Sequence, residues 1–457
     1  MKFSISEINQ ILGNINFNGS VKRDFLFSKV SIDSRTISPK DLFIALKGET
    51  FDGHDFLKSV LKIGVKAVVI NQGKQNLVPK NHPFWVVPDT KEAFQNLALI
   101  KRRKLKIPVI AITGSVGKTT TKEMTLEVLK SYGKVKVSEK NNNNEIGVAL
   151  TIHSCEGSEE LLVLEMGMRG RGQIEILSKF SEPNIAVITN IGSSHIGILG
   201  SRDSIAKAKC EITQHLNPDG VVIIPYGEPL LDENLKNFWR GKVVKVKLEK
   251  NRKNIKLNSS NDNFILGIYD GPKNIIQIEE KYFEISFKGN HNALNFLYVY
   301  AISRELGIDF DKFNRFNFKS LEGRNNVIHT KKLLIMDESY NASPESVKAC
   351  IKCLLGYPGR HFFIFGSMKE LGNNSEQYHR EIFKLINNSD IQRCIFLCEK
   401  ELELEIRKFC LISEKIFIVN QIDSIIPMIN DITIKGDVLL IKGSRYWQLD
   451  KLIPHIG

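Results

Sequence analysis

The sequence lacks any apolar run long enough to cross a membrane. A transmembrane helix needs roughly 18 or more consecutive apolar residues, and no stretch of these 457 residues approaches that length. The N-terminal residues Met1-Lys-Phe-Ser-Ile-Ser-Glu-Ile8 contain no continuous apolar segment and carry an early acidic residue, which argues against a secretory signal peptide. We therefore expect a cytoplasmic protein without membrane insertion.

Cysteine is scarce and odd in number, with seven residues scattered along the chain. This usage fits reduced thiols and argues against a disulfide framework. Two pairs, Cys350 with Cys353 and Cys394 with Cys398, have spacings that also allow a zinc site. The first pair falls in a helix-like pattern and the second in an apolar run typical of a buried strand. We therefore favour core packing for these thiols and keep zinc as the alternative.

Acidic residues are outnumbered, with 51 Asp and Glu against 64 Lys and Arg, which gives a net charge of +13. Such a surplus suggests an anionic partner: a nucleic acid, a membrane surface or a phosphate-rich small molecule. The densest basic run, Lys101-Arg-Arg-Lys104, has no aromatic residues interleaved with it. It predicts a solvated helix end rather than a nucleic-acid patch, and no nucleic-acid partner is expected.

Strand-like and helix-like segments alternate through most of the chain, which predicts an α/β protein with parallel sheets. Length alone suggests about three domains of roughly 150 residues. We place a small α/β domain at 1–88, a central domain with a mostly parallel sheet flanked by helices at 89–320, and a Rossmann-like α/β domain at 321–457. The polar segment 251–263 predicts a loop inside the central domain.

A phosphate-binding loop is the most specific local signal. The apolar, β-branched run 107–113 predicts a buried strand, and a helix-like pattern follows the loop. Strand, glycine loop, Lys-Thr and helix form the context of a P-loop, although Ile112 lies where the strict pattern has its first Gly. Such loops cradle phosphate with backbone N–H groups and a helix N-terminus. The predicted nucleotide-binding residues are Gly114, Ser115, Val116, Gly117, Lys118, Thr119 and Thr120.

Two more polar residues are expected beside this loop, because Glu165 ends one apolar run and His195 closely follows another. Ligands of open α/β sheets bind beyond the carboxyl ends of the strands. Lys118, Thr119, Glu165 and His195 are therefore expected to share one crevice. Lys118 is expected to reach the phosphates, and Thr119, Glu165 and His195 to bind Mg²⁺ together with phosphate oxygens. Taken singly, Glu165 also fits a surface carboxylate, His195 a loop histidine, and Lys209 a solvated helix lysine.

Several short motifs accompany the loop. They lie at 30–35, 41–48, 51–56, 141–147, 164–170, 189–195, 206–212, 289–295, 340–344 and 442–445. Together with the loop they resemble the Mur ligases, the ATP-dependent amide-forming enzymes of peptidoglycan precursor synthesis. The resemblance covers nearly the whole chain, and 164–170 is most similar to the branch that joins D-alanyl-D-alanine to UDP-N-acetylmuramoyl-tripeptide. It implies ligation through an acyl phosphate.

The resemblance also implies roles for individual residues. Lys209 corresponds to a lysine that is carbamylated in this superfamily, which implies an oxygen ligand for a second Mg²⁺. The implied catalytic residues are Lys118, Glu165, His195 and Lys209, and the implied metal ligands are Thr119, Glu165, His195 and Lys209. The further ATP contacts are Asn292, Asn295, Arg324 and Asp337. The substrate contacts are Ser34, Arg35, Asn143, Asn144, Glu145, Arg169, Tyr340, Asn341, Lys442, Ser444 and Arg445.

The chain departs from the family's pattern at a few positions. Ser367 replaces a usual Asp, Tyr446 a usual Gly and Ala149 a usual Pro, while Ser194 and Ile196 flank His195 where Ala and Leu are commoner. None of these departures removes a predicted phosphate-binding or metal-binding group.

Two other functions share the phosphate loop. One is a sister amide ligase, such as folylpolyglutamate synthase or another Mur ligase, against which 164–170 and the N-terminal domain argue. The other is a nucleotide-dependent regulator or nucleic-acid-binding protein, which would not need Lys209, Asn292 or Asn295. The sequence leaves open whether the third residue of the tripeptide is diaminopimelate or lysine. The family is usually monomeric, so a monomer is expected.

Overall fold

The computed structural model describes residues 2–16, 26–48, 50–250, 263–310, 315–408 and 413–456. Of the predicted loop at 251–263, residues 251–262 lie outside these ranges. Within them, the strands form a two-stranded ribbon and three sheets, of four, ten and six strands. The sheets follow one another along the chain, which confirms the predicted α/β class. The domain boundaries at 88 and 320 stay a prediction.

The N-terminal part contains the ribbon and a small parallel sheet. Its elements are β1 (Phe3–Ser4), α1 (Ile5–Leu12), β2 (Leu26–Phe27), β3 (Val30–Ser31), β4 (Leu42–Ile44), α2 (Leu57–Ile63), β5 (Ala67–Asn71) and β6 (Phe84–Val87). The sheet order is β3-β4-β5-β6, and every pair is parallel. β4 and most of β5 are apolar and buried on both faces, as parallel strands require.

The middle of the molecule is a ten-stranded sheet. Its elements are α3 (Thr90–Leu105), β7 (Val109–Thr113), α4 (Lys118–Leu129), β8 (Val135–Val137), α5 (Glu145–His153), β9 (Leu161–Glu165), α6 (Gln173–Ser181), β10 (Ile185–Ile188), α7 (Ile196–Leu199), α8 (Arg202–Cys210), β11 (Val221–Pro225), α9 (Pro229–Phe238), β12 (Lys242–Glu249), β13 (Phe264–Asp270), β14 (Ile275–Ile278), β15 (Lys281–Ile285), α10 (Asn290–Glu305) and β16 (Arg315–Phe316).

The strand order of this sheet is β16-β15-β14-β13-β12-β11-β10-β7-β9-β8. Only the pairs β13-β14 and β14-β15 are antiparallel among the described strands. The three strands β10, β7 and β9 lie side by side and are buried along their whole length. Because they are parallel, their carboxyl ends and the loops that follow them meet at one edge, where the site lies.

The C-terminal part is a second α/β unit. Its elements are β17 (Asn326–His329), β18 (Leu333–Asp337), α11 (Pro344–Leu354), β19 (His361–Gly366), α12 (Ser375–Asn387), β20 (Ile391–Leu397), α13 (Lys400–Lys408), β21 (Ile416–Val419), α14 (Ile425–Ile432) and β22 (Asp437–Lys442). The sheet order is β17-β18-β22-β19-β20-β21, and all pairs except β17-β18 are parallel. This confirms the Rossmann-like prediction.

Core packing is confirmed for three of the four paired cysteines, whereas Cys353 is only partly buried. Cys350 lies buried in α11, and Cys394 and Cys398 lie buried in β20 and just after it. All three are free thiols. In the part of the chain that the structure describes, no group of three or more His, Cys, Asp or Glu side chains is placed to hold a metal ion. The same part contains no helix long and apolar enough to span a bilayer.

The prediction of a solvated helix end was wrong for the first two residues of the basic run at the end of α3, whereas Arg103 is exposed. Lys101 is buried, and its Nζ donates a hydrogen bond to the carbonyl oxygen of His153 at 2.6 Å. Arg102 is also buried, and its Nε donates to the carbonyl oxygen of Ser181 at 2.7 Å. Buried carbonyl groups need donors, and these two side chains supply them where α3 packs against α5 and α6.

Candidate active site

The phosphate loop joins β7 to α4 at the centre of the ten-stranded sheet. Gly114 and Gly117 have φ angles of +149° and +87°, in the region that favours glycine. A Cβ at Gly114 would overlap the Thr189 hydroxyl, and one at Gly117 would lie 2.7 Å from Asn295 Oδ1. The two glycines therefore let the end of β10 and the first turns of α10 approach the loop closely.

Lys118 begins α4 and folds back over the loop. Its Nζ donates a hydrogen bond to the carbonyl oxygen of Gly114 at 2.7 Å. Burial lowers the pKa of Lys118, the carboxylate of Glu165 opposes that shift, and the positive charge of Arg324 adds to it. Such effects require short distances. The structure therefore brings together three predicted site residues that lie far apart in the sequence.

Asn190, at the end of β10, supports the loop in a way that was not predicted. Its Oδ1 accepts hydrogen bonds from the backbone N–H groups of Ser115 at 3.1 Å and Val116 at 3.0 Å. Its Nδ2 donates to the carbonyl oxygen of Val116 at 3.0 Å, and Thr189 Oγ1 donates to the same oxygen at 2.6 Å. The signal that would have identified Asn190 is its position directly after an apolar strand beside β7.

We expect the Asn190→Ala variant to bind ATP about tenfold more weakly, because losing the hydrogen bonds that order the loop costs about 1–2 kcal/mol. Isothermal titration calorimetry measures the affinity, and circular dichroism shows whether the variant is folded. Asn388→Ala, an exposed site at the end of α12, is the matched control and should bind ATP as the unsubstituted protein does. Equal affinity in Asn190→Ala would show that the amide does not order the loop.

Glu165 ends β9 and is 2% exposed. Its Oε1 accepts a hydrogen bond from Asn143 Nδ2 at 2.9 Å, and its backbone N–H donates to Ser138 Oγ at 3.1 Å. The other carboxylate oxygen, Oε2, is buried and has no hydrogen-bond partner. A buried oxygen without a partner is costly, so this atom fits a site that binds a cation. The surface-carboxylate alternative for Glu165 is wrong.

His195 lies beyond β10 with a φ of +64°. Its Nδ1 lies 2.6 Å from Glu370 Oε2 in the loop after β19, and this contact lowers the pKa of Glu370. The contact does not have hydrogen-bond geometry, so the buried Nδ1 has no hydrogen-bond partner. A carboxylate beside one ring nitrogen is common among metal-binding histidines. Glu370 is a further residue to which no role was assigned from the sequence.

Lys209 lies near the end of α8 and is 2% exposed, so the solvated-lysine alternative is wrong. Burial, with a smaller contribution from the positive charge of Lys118, lowers the pKa of Lys209 well below its ordinary value. The shift favours the uncharged amine, the form that reacts with carbon dioxide to give a carbamate. The side chain therefore lies near the phosphate loop in a state that suits the predicted modification.

Asn292 and Asn295 lie in the first turns of α10, at the junction with the C-terminal part. Asn292 Nδ2 donates a hydrogen bond to Asn325 Oδ1 at 2.8 Å, whereas Asn292 Oδ1 is buried without a partner. Asn325 borders a cavity of about 470 Å³ between the two parts, lined also by Phe287, His291 and Met336. This mixture of apolar, aromatic and amide side chains suits a flat heterocycle.

Asp337 ends β18 and is buried within its own domain. Its Oδ2 accepts a hydrogen bond from the Gly323 N–H at 3.1 Å, and its Oδ1 accepts one from Ser339 Oγ at 2.6 Å. Asp337 therefore holds the turn that carries Arg324. Its predicted contact with ATP stays a prediction.

Tyr340 lies between two arginines. Its ring centroid lies 4.0 Å from the Arg324 guanidinium carbon and 5.9 Å from that of Arg445. The backbone N–H of Arg445 donates to Asn341 Oδ1 at 3.4 Å, and buried Lys442 donates from Nζ to the Asn341 carbonyl oxygen at 3.0 Å. Four of the predicted substrate contacts, Tyr340, Asn341, Lys442 and Arg445, are thus gathered at the ends of the adjacent strands β18 and β22, next to Arg324.

The two main departures from the motif pattern lie in one cluster. Trp447 Nε1 donates a hydrogen bond to Ser367 Oγ at 3.0 Å, and its ring packs edge-on against Tyr446 with centroids 5.0 Å apart. Ser367 Oγ donates in turn to Glu399 Oε2 at 3.2 Å. Lys369 Nζ lies 4.6 Å from the centre of the Tyr446 ring and pairs with Glu399. Glu399 therefore places a carboxylate beside Ser367, at the position where the family pattern has Asp.

Other predicted substrate residues make local contacts. Asn144 caps α5 by accepting a hydrogen bond from the Gly147 N–H at 2.8 Å, and Glu145 pairs with Lys91 at 3.4 Å. Arg169 is exposed. Ser444 caps the last turn before Trp447.

Ser34 and Arg35 form a separate surface, in the turn after β3 of the N-terminal sheet. Arg35 donates to the Asp33 carboxylate from Nε and Nη2, both at 2.9 Å. These hydrogen bonds hold the pKa of Asp33 at about 2. The arginine is exposed, so its remaining N–H groups can reach an anionic ligand.

Family models match almost the entire chain. Residues 27–112 match the model described as Mur ligase family, catalytic domain. Residues 112–303 match the Mur ligase middle domain, and residues 323–445 match the Mur ligase, glutamate ligase domain.

Relatives and solved structures agree with these matches. The UDP-N-acetylmuramoyl-tripeptide–D-alanyl-D-alanine ligase of Synechocystis is 36% identical over 366 residues, 79% of this chain and 77% of its own length. The enzyme of the same name from Bacillus subtilis is 35% identical over 446 residues, 93% of this chain and 92% of its own. The MurF ligase of Thermotoga maritima in complex with ADP has a TM-score of 0.79 and 28% identity, covering 93% of this chain and 96% of that one.

Proposed function

This chain belongs to the Mur ligase family, and we propose that it joins D-alanyl-D-alanine to UDP-N-acetylmuramoyl-tripeptide. The products are UDP-N-acetylmuramoyl-pentapeptide, ADP and phosphate. The observation that carries this proposal is the grouping of Lys118, Glu165 and Lys209 at the phosphate loop. Arg324 lies near this group and also contacts Tyr340, one of the predicted substrate contacts. The names of the relatives and the ADP bound by the Thermotoga structure support it.

The chemistry requires activation, because a carboxylate does not condense with an amine in water: oxide is a poor leaving group. In the first step a carboxylate oxygen of the tripeptide attacks the γ-phosphorus of ATP, and ADP leaves. In the second step the amine of D-alanyl-D-alanine attacks the acyl carbon, the C–O bond to phosphate breaks, and the amine loses a proton. In phosphoryl transfer a protein contributes mainly positioning and charge.

The phosphate loop supplies both contributions. The N–H groups in the first turn of α4 have no intrahelical partners, so they face the γ-phosphate as donors. Lys118 lies at that helix start and, once phosphate is bound, exchanges its hydrogen bond with Gly114 for one to a phosphate oxygen. Arg324 adds a second positive charge from the C-terminal part.

The residues around the loop also fit Mg²⁺. Bound there, Mg²⁺ would neutralise phosphate charge. Thr119, Glu165, His195 and carbamylated Lys209 would hold two ions together with phosphate oxygens. The unpartnered Oε2 of Glu165 and the buried, unpartnered Nδ1 of His195 beside Glu370 support this assignment. In the described ranges no three carboxylates, histidines or cysteines are grouped to hold a metal ion, so phosphate oxygens of ATP and water would complete the coordination.

The remaining parts of the substrates have separate surfaces. We assign the adenine base to the 470 Å³ cavity lined by His291 and Asn325, the residue that Asn292 contacts. The dipeptide carboxylate is assigned to Lys442, Ser444 and Arg445. The UDP-sugar is assigned to the N-terminal sheet at Ser34 and Arg35. A cytoplasmic location and a monomeric state are part of the proposal, and light scattering after gel filtration measures the second.

A coupled phosphate-release assay tests the function. Phosphate should appear at a substantial rate only when ATP, Mg²⁺, a UDP-tripeptide and D-alanyl-D-alanine are all present, and mass spectrometry should show the pentapeptide. Repeating the assay with the UDP-tripeptide that contains diaminopimelate and with the one that contains lysine identifies the third residue of the natural tripeptide. Phosphate release that is independent of the dipeptide, without a new peptide bond, would favour a nucleotide-dependent regulator instead.

A further inference from the structure

One loop of the central part serves both the nucleotide and the proposed metal site. It begins at Thr189 and Asn190, which bond to the phosphate loop, and ends at His195. Any group that fixes the middle of this loop therefore affects both sites. That middle consists of Gly192 and Ser193.

A carboxylate from the C-terminal part holds the middle of the loop. Glu345 Oε1 accepts hydrogen bonds from the Ser193 backbone N–H at 2.9 Å and from Ser193 Oγ at 2.8 Å. Hydrogen bonds to an ionised acceptor are about twice as strong as neutral ones. A Cβ at Gly192 would lie 2.8 Å from Glu345 Cδ, so a glycine is needed for this approach. Glu345 Oε2 is buried and makes no hydrogen bond.

Glu345 lies directly after residues 340–344, the segment that contains the predicted substrate contacts Tyr340 and Asn341. It is in the first turn of α11, which Ser343 caps by accepting a hydrogen bond from the Ser346 N–H. The preceding residues Tyr340 and Asn341 contact Arg445 and Lys442. Whatever orders that segment also orders the start of α11 and thus the Glu345 carboxylate.

We propose that Glu345 is a positioning residue that couples the dipeptide site to the nucleotide site. The inference rests on the proposed ligase function. Contacts between D-alanyl-D-alanine and residues 340–344 restrain the start of α11 and stabilise the contact between Glu345 and Ser193, and the loop then holds Asn190 and His195 in place for ATP. The separate contact between Glu370 and His195 holds the same loop, so part of the coupling survives without Glu345.

The coupling is measured as the change in affinity for the non-hydrolysable analogue AMP-PNP, with Mg²⁺ and UDP-tripeptide present, when saturating D-alanyl-D-alanine is added. We expect about tenfold tighter AMP-PNP binding in the unsubstituted enzyme, within the usual range of coupling between sites. In Glu345→Ala the gain should fall to about twofold, and AMP-PNP affinity without the dipeptide should fall by a smaller factor than the gain does. Glu405→Ala, an exposed site on α13, should retain the full gain.

Two further variants keep the test decisive. Ser193→Ala removes one of the two donors and should give a partial loss, and the Glu345→Ala/Ser193→Ala double variant should be no worse than Glu345→Ala, because the residues act through one contact. Glu345→Gln keeps the side-chain size if Glu345→Ala does not fold. Full coupling in the Glu345 variants, additive losses or no coupling in the unsubstituted enzyme would overturn the inference. Absence of pentapeptide from the unsubstituted enzyme would instead overturn the proposed function.

Discussion

Lys118→Ala should lower the rate of dipeptide-dependent phosphate release by about 10³-fold, the loss typical of removing a group that stabilises transition-state charge. Lys118 is placed at the start of α4 with its Nζ over the phosphate loop. Negative charge on the γ-phosphate oxygens must be offset while the phosphoryl group moves, and water cannot replace a fixed ammonium in a buried site. Lys118→Arg should not restore activity, because the larger guanidinium does not fit over the loop.

Lys130→Ala is the matched control for this prediction. Lys130 lies at the other end of the same helix, half exposed, and pairs with Glu127. Its removal should leave phosphate release within about twofold of the unsubstituted rate, since a surface ion pair contributes little. Near-normal turnover in Lys118→Ala would contradict the assignment of the loop to ATP.

The second large effect is expected at Lys209. Lys209→Ala should lose ligation by about 10²-fold or more, within the range reported for removing groups that stabilise developing charge. Added formate or acetate should restore part of the rate, because a small carboxylate can occupy the space of the missing carbamate. The buried amine, with its lowered pKa, is the feature that supports a carbamate at this position.

Lys207→Ala tests whether any lysine of α8 behaves in this way. Lys207 lies two residues away on the same helix, partly exposed and paired with Asp203 at 2.8 Å, so its loss should have little effect and need no rescue. Carbon-13 NMR of enzyme equilibrated with labelled bicarbonate should show a carbamate signal that disappears in Lys209→Ala. Full activity of Lys209→Ala without added carboxylate would show that the modification is not needed.

Local chemistry made the phosphate loop predictable. Its strand, glycines, lysine and helix are consecutive, so each part constrains the next without knowledge of the rest of the chain. The strand that ends at Glu165 and the one that precedes His195 were predictable for a similar reason, since apolar runs bounded by polar residues are typical of buried parallel strands. The sequence prediction of alternating strands and helices missed that β12 to β15 follow one another without a helix between them. It also missed that two pairs of these strands are antiparallel.

Contacts between distant segments were not predictable. Glu345 and Ser193 are separated by 152 positions, and their contact depends on how the central and C-terminal parts pack. The same holds for Glu370 and His195. The error at Lys101 and Arg102 has a related cause: a run of positive charge looks solvated, and only the fold reveals the buried carbonyl groups that these side chains satisfy.

In the proposed reaction the γ-phosphate of ATP is transferred to the tripeptide carboxylate. UDP-N-acetylmuramoyl-tripeptide with oxygen-18 at both oxygens of its terminal carboxylate tests this step. An acyl phosphate contains one labelled oxygen between carbon and phosphorus, and attack by the amine releases that oxygen with phosphate. We expect one oxygen-18 atom in each phosphate released, read by mass spectrometry. Unlabelled phosphate would mean that water, and not the carboxylate, attacks ATP, and would contradict the proposed reaction.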